Sequence, residues 1–336
     1  MALLTGSTIT YGVTNAGGLR EDLTDTIFDL FPEDTWALSN LDKEEANATY
    51  TEWQAQELAP PTANIQLEGD DATFGSLTAP TRYGSFLQIS SKTFLVSDSL
   101  ESVVKAGRRS EVARGAIVKM RELKRDMEAR ILGPGISTAG GAGTGRSTAG
   151  MEAWIAGPTV SGDGITTSNA MFATAAATTG TTPPTASGRP ETALTDPTTL
   201  GALTQTVLSQ ALMGAWASGG DASVILVGAS QKAKVDAFAG VATRFVDVMG
   251  ANQASIIGAA NVFVSDYGKH SVQLSRYMRS SVVLCLDPNF WAVRYLRKPL
   301  KRELARTGDG KKYQMITEWA LVARNWRSNA KVVGCA

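Results

Sequence analysis

The chain has 336 residues, in which 32 lysines and arginines balance 32 aspartates and glutamates, with two cysteines and one histidine. A content of 43% hydrophobic and 19% charged residues excludes a wholly disordered chain. So few cysteines and histidines exclude a disulfide framework and a four-cysteine zinc site, and we predict no catalytic, cofactor or metal site. No apolar run approaches the roughly 18 residues of a membrane helix, so we expect no membrane partner.

Residues 1–60 contain few large apolar residues, and we interpret them as an N-terminal arm that lies on another surface. Within the arm, one stripe of apolar residues repeats at helical spacing and predicts a short amphipathic helix that ends at Pro32. The residues of this stripe are Leu19, Leu23, Ile27, Leu30 and Phe31.

Residues 61–96 are predicted to form an extended β-hairpin, because polar and apolar residues alternate in segments 64–68 and 86–90. A turn-rich stretch that contains Asp70 and Asp71 lies between the two segments. A two-stranded hairpin alone is marginally stable in water, so we expect this one to need a surface to lie on.

Residues 97–132 carry apolar residues with a period of about 3.6 and no interrupting proline, which predicts one long helix. The helix is expected to stop at Gly133. At a rise of roughly 1.5 Å per residue it would be about 50 Å long. Its polar face is basic and includes Arg108, Arg109, Arg121 and Arg125.

Residues 133–198 are rich in glycine, alanine, threonine and serine, which predicts mainly loop. Within them, Gly140 to Ser147 comes within one residue of the phosphate-binding P-loop pattern, with Arg146 in place of the lysine. A P-loop follows a strand and opens a helix, whereas here a helix precedes the loop and none is predicted to follow. We therefore predict a flexible loop and no nucleotide site.

Residues 199–290 predict an α/β domain, in which helices alternate with short apolar strands. The predicted elements are a helix over 200–216, a buried strand over 224–227, a helix over 231–239 capped by Ser230, and strands over 262–264 and 282–286. His270 is predicted to lie on a surface loop, and Cys285 is predicted to be a small buried hydrophobe.

Residues 291–336 are predicted to be rich in β-structure and carry 11 bases against 3 acids. Segments 291–296 and 317–322 are predicted strands of one sheet, with a turn signal at Asp309 and Gly310 between them. Residues 331–333 are predicted to close that sheet.

The zero net charge is a cancellation between segments. Residues 1–104 carry 16 acids and 4 bases, whereas residues 105–130 carry 9 bases and 4 acids. Opposite charges in separate segments suggest parts that attract one another, within a molecule or between copies. An arm and a hairpin of this reach would project from an isolated subunit, so we hypothesise that the acids of the hairpin meet bases on neighbouring copies. The acids are Glu68, Asp70 and Asp71, and the bases include Arg108, Arg109, Arg121, Arg125, Lys298, Lys301 and Arg302.

The bases are not arranged as a nucleic-acid reader. There is no zinc-finger spacing and no aromatic RNA-binding motif, and the isoelectric point is near 6.6. We expect at most a weak, non-specific contact with a polyanion.

Several short motifs follow one another in a specific order along the chain. They are Arg20-Glu21-Asp22-Leu23, Glu52-Trp53-Gln54, Glu68-Gly69-Asp70-Asp71, Gln88-Ile89, Ala106-Gly107-Arg108, Glu122 to Glu128, and Val224 to Gly228 with Lys232. In this order and spacing, and in its succession of arm, hairpin, long helix and α/β domain, the chain resembles the major capsid protein of tailed bacteriophages, the HK97-type fold family.

The resemblance implies an α+β fold of five parts. These are an N-terminal arm (1–60), an E-loop hairpin (61–96), a spine helix with P-domain loops (97–198), an A-domain (199–290) and a returning P-domain β segment (291–336). The tips of the A-domain are expected to meet at the five- and sixfold axes, which places Gly250 in a contact between copies.

The same resemblance implies a function. Copies would assemble in the host cytoplasm as hexamers and pentamers into the icosahedral shell of a virion, around phage DNA and without catalysis. A portal and a separate scaffold protein are implied as partners, and decoration proteins are left open as further ones. No residue matches the Lys–Asn cross-link of some relatives, so none is expected.

Two other functions stay open at this point. One is a phage tail-tube or other ring-forming virion protein, against which the long basic helix argues. The other is an enzyme with a loop-bound phosphate substrate, against which the imperfect P-loop pattern and the scarcity of histidine and cysteine argue.

Overall fold

The computed structural model describes residues 34–56, 58–59, 61–71, 74–105, 107–155, 159–160, 166–167, 170–172, 188–191, 200–238 and 261–336. The predicted arm helix over 19–31, Gly250 and the neighbouring loops lie outside the described residues. The helices are α1 Trp36–Asn40, α2 Asp98–Ser102, α3 Glu111–Leu132, α4 Met151–Trp154, α5 Gln205–Ala217 and α6 Ala229–Asp236. The strands are β1 Asp42–Glu45, β2 Tyr50–Ala55, β3 Thr81–Phe86, β4 Gln88–Val96, β5 Thr159–Val160, β6 Thr166–Thr167, β7 Ala170–Phe172, β8 Val224–Val227, β9 Val262–Ser265, β10 Gly268–Leu274, β11 Val282–Leu286, β12 Trp291–Leu304, β13 Lys311–Ala323 and β14 Ala330–Val333.

A four-stranded sheet in the order β1-β12-β13-β4 forms one half of the molecule. The two predicted strands of the basic tail are confirmed and are longer than predicted, since β12 and β13 pair antiparallel from Trp291 opposite Ala323 to Leu304 opposite Lys312. The first strand, β1, lies parallel to β12. This parallel contact brings the acidic stretch 42–45 alongside the basic strand.

The predicted long helix is two helices. Between α2 and α3 the chain is extended at Val103 and Ser110, and Gly107 has a φ of +71°. The Ser110 hydroxyl accepts a hydrogen bond from the Ala113 amide at 3.2 Å and donates one to Glu101 at 2.6 Å. Because Ser110 caps a new helix here, α3 has 22 residues and is about 33 Å long, which corrects the predicted length.

A six-stranded sheet in the order β7-β14-β11-β8-β10-β9 forms the other half. The predicted strands over 224–227 and 282–286 are confirmed as β8 and β11. The prediction that residues 331–333 close the tail sheet is wrong, because β14 pairs antiparallel with β11. A strand this short, with three apolar residues and Lys331, fits either sheet, so its sequence pattern could not choose between them.

Two predictions in the α/β region need correction. Helix α6 begins at Ala229 with Gly228 at the N-cap, and Ser230 lies within its first turn. His270 is in β10 and is buried, where its Nδ1 contacts the Ala222 carbonyl oxygen at 2.5 Å and its Nε2 the Ser265 hydroxyl at 2.7 Å. The residues next to His270 are polar, so the sequence did not indicate a strand there. In the structure the imidazole lies on the inward face of β10. Cys285 is fully buried as predicted.

The core joins the two sheets. Side chains on one face of the six-stranded sheet, among them Leu226 and Leu284, share a cluster with Trp291 and Trp319 of the four-stranded sheet and with Met127 of α3. The alternate residues of β8 and β11 pack in a second cluster with α5. The residues alternate between the two clusters because successive side chains of a strand point to opposite faces of the sheet. The first cluster joins the two sheets, and it also includes residues of α3 and α4.

The hairpin has a paired base and an unpaired tip. Its base is β2 against β3, with Tyr50 opposite Phe86 and Ala55 opposite Thr81. The predicted strand over 64–68 is absent, because residues 61–71 are exposed and have no strand beside them in the described chain. The second predicted segment falls on the junction of β3 and β4.

Candidate inter-subunit surfaces

The segment between β2 and β3 presents large apolar side chains to solvent. Phe74 and Leu77 are each 97% exposed and Ile65 is 91% exposed, and Leu58 and Leu67 are exposed as well. Single exposed apolar residues are common, but five within one projecting segment are typical of a surface that another molecule covers. The hairpin therefore is the first candidate contact surface.

The predicted acidic residues of this hairpin lie at a turn. Gly69 adopts a φ of +85°, and the Asp70 amide donates a hydrogen bond to the Leu67 carbonyl at 3.2 Å. Glu68, Asp70 and Asp71 are all exposed, and their carboxylates form no ion pair with any residue that the structure describes. The tip thus combines apolar side chains with three acids that have no ion-pair partner among the described residues.

The second candidate surface is an open groove of about 690 Å³ at the start of α3. Arg108, Arg109, Arg114 and Arg121 line it together with Ile117, which is 54% exposed. Arg108, which precedes α3, also forms an ion pair with Glu111 in the first turn of that helix. Three of the four predicted spine arginines are therefore brought together, beside an apolar side chain.

The fourth predicted arginine has a different position. Arg125 donates a hydrogen bond from Nε to the Tyr277 hydroxyl at 2.9 Å, and its guanidinium lies 5.9 Å from the centre of the same ring. It ties α3 to the loop between β10 and β11 and is not among the residues that line the groove.

Acids that precede the hairpin are already paired within the subunit. Arg324 contacts both Asp42 and Glu44, Arg294 also contacts Glu44, and Lys298 lies 2.7 Å from Glu45. Lys298 thus has an acid partner within its own subunit, and its contact with a neighbouring copy stays a prediction. Sequence reasoning missed these pairs because they depend on the parallel register of β1 with β12, which no local pattern indicates.

Two further buried charges anchor the elements that carry these surfaces. The Glu128 carboxylate accepts hydrogen bonds from the amides of Ala37 at 2.7 Å and Leu38 at 3.0 Å, at the first turn of α1. Burial raises the pKa of Glu128 above its ordinary value, although these two hydrogen bonds act in the opposite direction. Lys331 is fully buried and donates to the Glu152 carbonyl at 2.7 Å.

The P-loop-like segment is a tight hairpin turn. Thr138 pairs with Ser147, and Gly141 pairs with Thr144. Arg146 extends to Glu318 of β13 at 2.6 Å, and Arg297 contacts the same buried carboxylate at 2.9 Å. The arginine that replaces the P-loop lysine thus fastens the turn to the four-stranded sheet.

Within the ranges that the structure describes, no helix is both long and apolar enough to cross a membrane. The described residues also contain no group of three or more His, Cys, Asp or Glu side chains that could hold a metal ion.

The described elements define a class of protein by fold, that of the HK97-type fold. The capsid asymmetric unit of cyanophage A-1(L) is 14% identical, with a TM-score of 0.63 over 94% of this chain and 97% of that chain. The SrpI encapsulin of Synechococcus elongatus is 11% identical, with a TM-score of 0.52 over 98% and 96%. The major capsid protein of phage G, solved together with decoration proteins, is 8% identical, with a TM-score of 0.50 over the full length of both chains. The predicted α+β fold is confirmed.

A match of the amino-acid sequence to a protein-family model identifies the family. The SU10 major capsid protein family matches residues 5–336, so the chain belongs to this family and is a major capsid protein. No curated protein matches the chain. Membership in a capsid family implies a structural role within a virion.

Proposed function

We propose that this chain assembles as hexamers and pentamers into an icosahedral shell around phage DNA, and that the hairpin of one copy lies on the basic groove of the next. The observation that carries the proposal is the exposed hairpin, which has five large apolar side chains and three acids without an ion pair to any residue that the structure describes. A neighbouring copy would cover the apolar side chains and neutralise the acids.

The groove at the start of α3 offers positive charge and an apolar side chain, which complement the acids and apolar side chains of the hairpin tip. Four arginines surround Ile117 there, and Ile65 and Leu67 stand close in sequence to Glu68 at the tip. Apolar contact would contribute about 25 cal/mol for each Å² buried, and the charges would set the register. Each exposed ion pair adds only about 0–1 kcal/mol, but every copy in a shell makes the same contact.

The base of the hairpin is held against the core of its own subunit through β2 and β3. The Trp53 ring of β2 packs at a tilt against Trp154, with 5.3 Å between ring centres, and the Tyr83 ring of β3 packs edge-on against Trp326 at 4.3 Å. A fixed base and an extended tip are suited to a contact between copies.

We extend the proposal to the domains and the remaining partners. The chain would divide into the five parts given above, except that the last strand, β14, joins the sheet of the A-domain. The loops around Gly250 would face the symmetry axes. A separate scaffold protein, a portal and decoration proteins would act during assembly in the host cytoplasm. Contact with the packaged DNA would be non-specific, and the role would be non-enzymatic. The family match does not support the tail-tube alternative.

Negative-stain electron microscopy of the purified chain, across a series of protein concentrations, tests this function. Closed polyhedral particles or six- and five-membered rings are expected. Open tubes, or subunit-sized particles at every concentration, would contradict it.

A further inference from the structure

A four-residue segment, 188–191, lies against the base of the hairpin. The Gly84 amide of β3 donates a hydrogen bond to the Gly188 carbonyl oxygen at 3.0 Å, so the segment adds a backbone contact to the two-stranded sheet of β2 and β3. The guanidinium of Arg189 lies 5.2 Å from the centre of the Phe86 ring, at the end of the same strand. The segment therefore holds β3 both through its backbone and through a side chain.

The same segment is also joined to the P-loop-like turn. The Ser137 amide, just before this turn, donates a hydrogen bond to the Pro190 carbonyl oxygen at 3.0 Å. The Ser137 hydroxyl accepts a hydrogen bond from the Phe86 amide at 3.1 Å, so Ser137 contacts both the segment and β3. The turn is fastened to β13 by the ion pair described above. The 188–191 segment thus links the base of the hairpin to the part of the subunit that carries the four-stranded sheet.

The close approach of the segment to β3 requires glycine at position 188. Gly188 is buried and has a φ of +73°, in the left-handed region that favours glycine. A Cβ atom at this position would collide with the Arg82 carbonyl oxygen and lie 3.3 Å from the Cα atom of Tyr83. Both are backbone atoms of β3 and cannot turn aside. A side chain at position 188 would therefore push the segment away from the strand.

The hairpin depends on such contacts for its direction. The pairing of β2 with β3 ends at Ala55 opposite Thr81, and residues 61–71 are exposed beyond this point. A two-stranded ribbon alone is marginally stable and twists more than a larger sheet. Its angle to the rest of the subunit is therefore set by what contacts its base, namely the core through Trp53 and Tyr83 and the 188–191 segment through the backbone of β3.

We propose that Gly188, Arg189 and Pro190 are positioning residues that fix the direction in which the hairpin projects from its subunit. They act through β3 and need no contact with a neighbouring copy. The consequence for assembly rests on the proposed contact between the hairpin and the groove at α3. The direction itself is a property of one subunit, and both measurements below use the full-length chain as dilute subunits.

The first measurement is amide hydrogen exchange in Gly188→Ala. Gly219→Ala is the matched control, because Gly219 also has a positive φ, of +80°, but nothing lies within 4 Å of its added Cβ. The exchange rates of the Gly84 and Ser137 amides are taken relative to that of Leu284 in the buried strand β11, which corrects for a change in global stability. We expect this ratio to rise about tenfold in Gly188→Ala and to stay unchanged in Gly219→Ala. A ratio that keeps its wild-type value in Gly188→Ala would overturn the proposal.

The second measurement is the direction of the hairpin, by double electron–electron resonance between two spin labels. One label is attached at Thr78→Cys, beyond the paired base of the hairpin, and the other at Gln210→Cys on α5, since both positions are exposed. The native Cys285 and Cys335 are buried, which limits labelling elsewhere.

Two variants of Arg189 complement Gly188→Ala in this measurement. Arg189→Gln removes the cation from the Phe86 ring without adding a Cβ atom, whereas Arg189→Lys keeps a cation there. We expect one narrow distance distribution in the wild type and in Arg189→Lys, and a broader or shifted distribution in Gly188→Ala and Arg189→Gln. The same distribution in all four proteins would overturn the proposal.

Shell yield separates this inference from the proposed function. A changed distance together with a loss of shells would support both. A changed distance with a normal shell yield would support the positioning role and contradict the hairpin contact between copies. An unchanged distance would overturn the positioning role, whatever the shell yield.

Discussion

The Nε atom of Arg294 donates a hydrogen bond to the Oε2 atom of Glu44 at 2.5 Å, although the two residues are 250 positions apart. Both lie at one register point of the parallel pair β1 and β12. Arg324 contacts the same carboxylate from a second direction. This triad fastens the beginning of the described chain to the long strand of the basic tail.

We expect Glu44→Gln to lower the free energy of unfolding by about 1 kcal/mol, because the variant loses two charge-assisted hydrogen bonds at a half-buried site. Glu45→Gln is the matched control, since its pair with Lys298 is largely exposed and should contribute less. Urea unfolding of the two variants measures the difference. A loss at Glu45 equal to that at Glu44 would contradict the structural role of the triad.

The pH dependence of stability should show Glu44 as well. Burial raises the pKa of Glu44, but hydrogen bonds from Arg324 and Arg294 outweigh it and hold the pKa below the ordinary value of 4.5. The stabilisation is therefore present above pH 4.5 and is lost as the pH falls through the folded-state pKa. The gap in stability between the wild type and Glu44→Gln should narrow on acidification, as followed by urea unfolding at a series of pH values. A constant gap would contradict this assignment.

Glu128 should behave with the opposite sign. Its pKa is raised by burial, so the folded state binds the proton more tightly than the unfolded state does. Its contribution is most favourable below pH 4.5 and declines as the pH rises toward the folded-state pKa. The stability of the wild type relative to Glu128→Gln should thus fall as the pH rises above 4.5. If it rises instead, the two amide hydrogen bonds to Glu128 outweigh burial.

Gly84 should be essential at the base of the hairpin. A Cβ atom at this position would lie 2.5 Å from the Tyr50 ring and 2.9 Å from the Thr51 carbonyl oxygen, and the latter is backbone and cannot turn aside. We expect Gly84→Ala to lower the free energy of unfolding by about 1–3 kcal/mol. Gly75→Ala is the control, since nothing lies within 4 Å of its added Cβ. Thermal unfolding of the two variants measures the difference in stability. Equal melting temperatures for Gly84→Ala and Gly75→Ala would contradict the close packing around Gly84.

Local patterns predicted most of the individual elements but not how they are joined. The apolar runs at β8 and β11 were sufficient to place these strands, because each is buried on both faces. The break at Ser110 was missed, since a helical period continues through a cap that depends on Glu101 nine residues earlier. The sheet that contains β14 and the pairing of Glu44 with Arg294 depend on contacts between distant residues, which periodicity does not encode.

The sequence also predicted part of the candidate surfaces. The sequence indicated an acidic hairpin tip and a basic helix face, because charge and turn residues are local signals. It did not separate Arg125, which contacts Tyr277, from Arg109 and Arg121, which line the groove. That distinction depends on which face of α3 meets the α/β half, and only the packed structure supplies it.

A charge-reversal assembly experiment tests whether the acidic hairpin tip of one copy meets the basic groove of another. Glu68→Lys/Asp70→Lys/Asp71→Lys should melt like the wild type, because these side chains are exposed, yet form no closed shells in light scattering and electron microscopy. Adding Arg109→Glu and Arg121→Glu to the same chain should restore part of the shell yield, because opposite charges face each other again. Normal shell yield and salt tolerance in the Lys variant, with no effect of the added reversals, would contradict the claim.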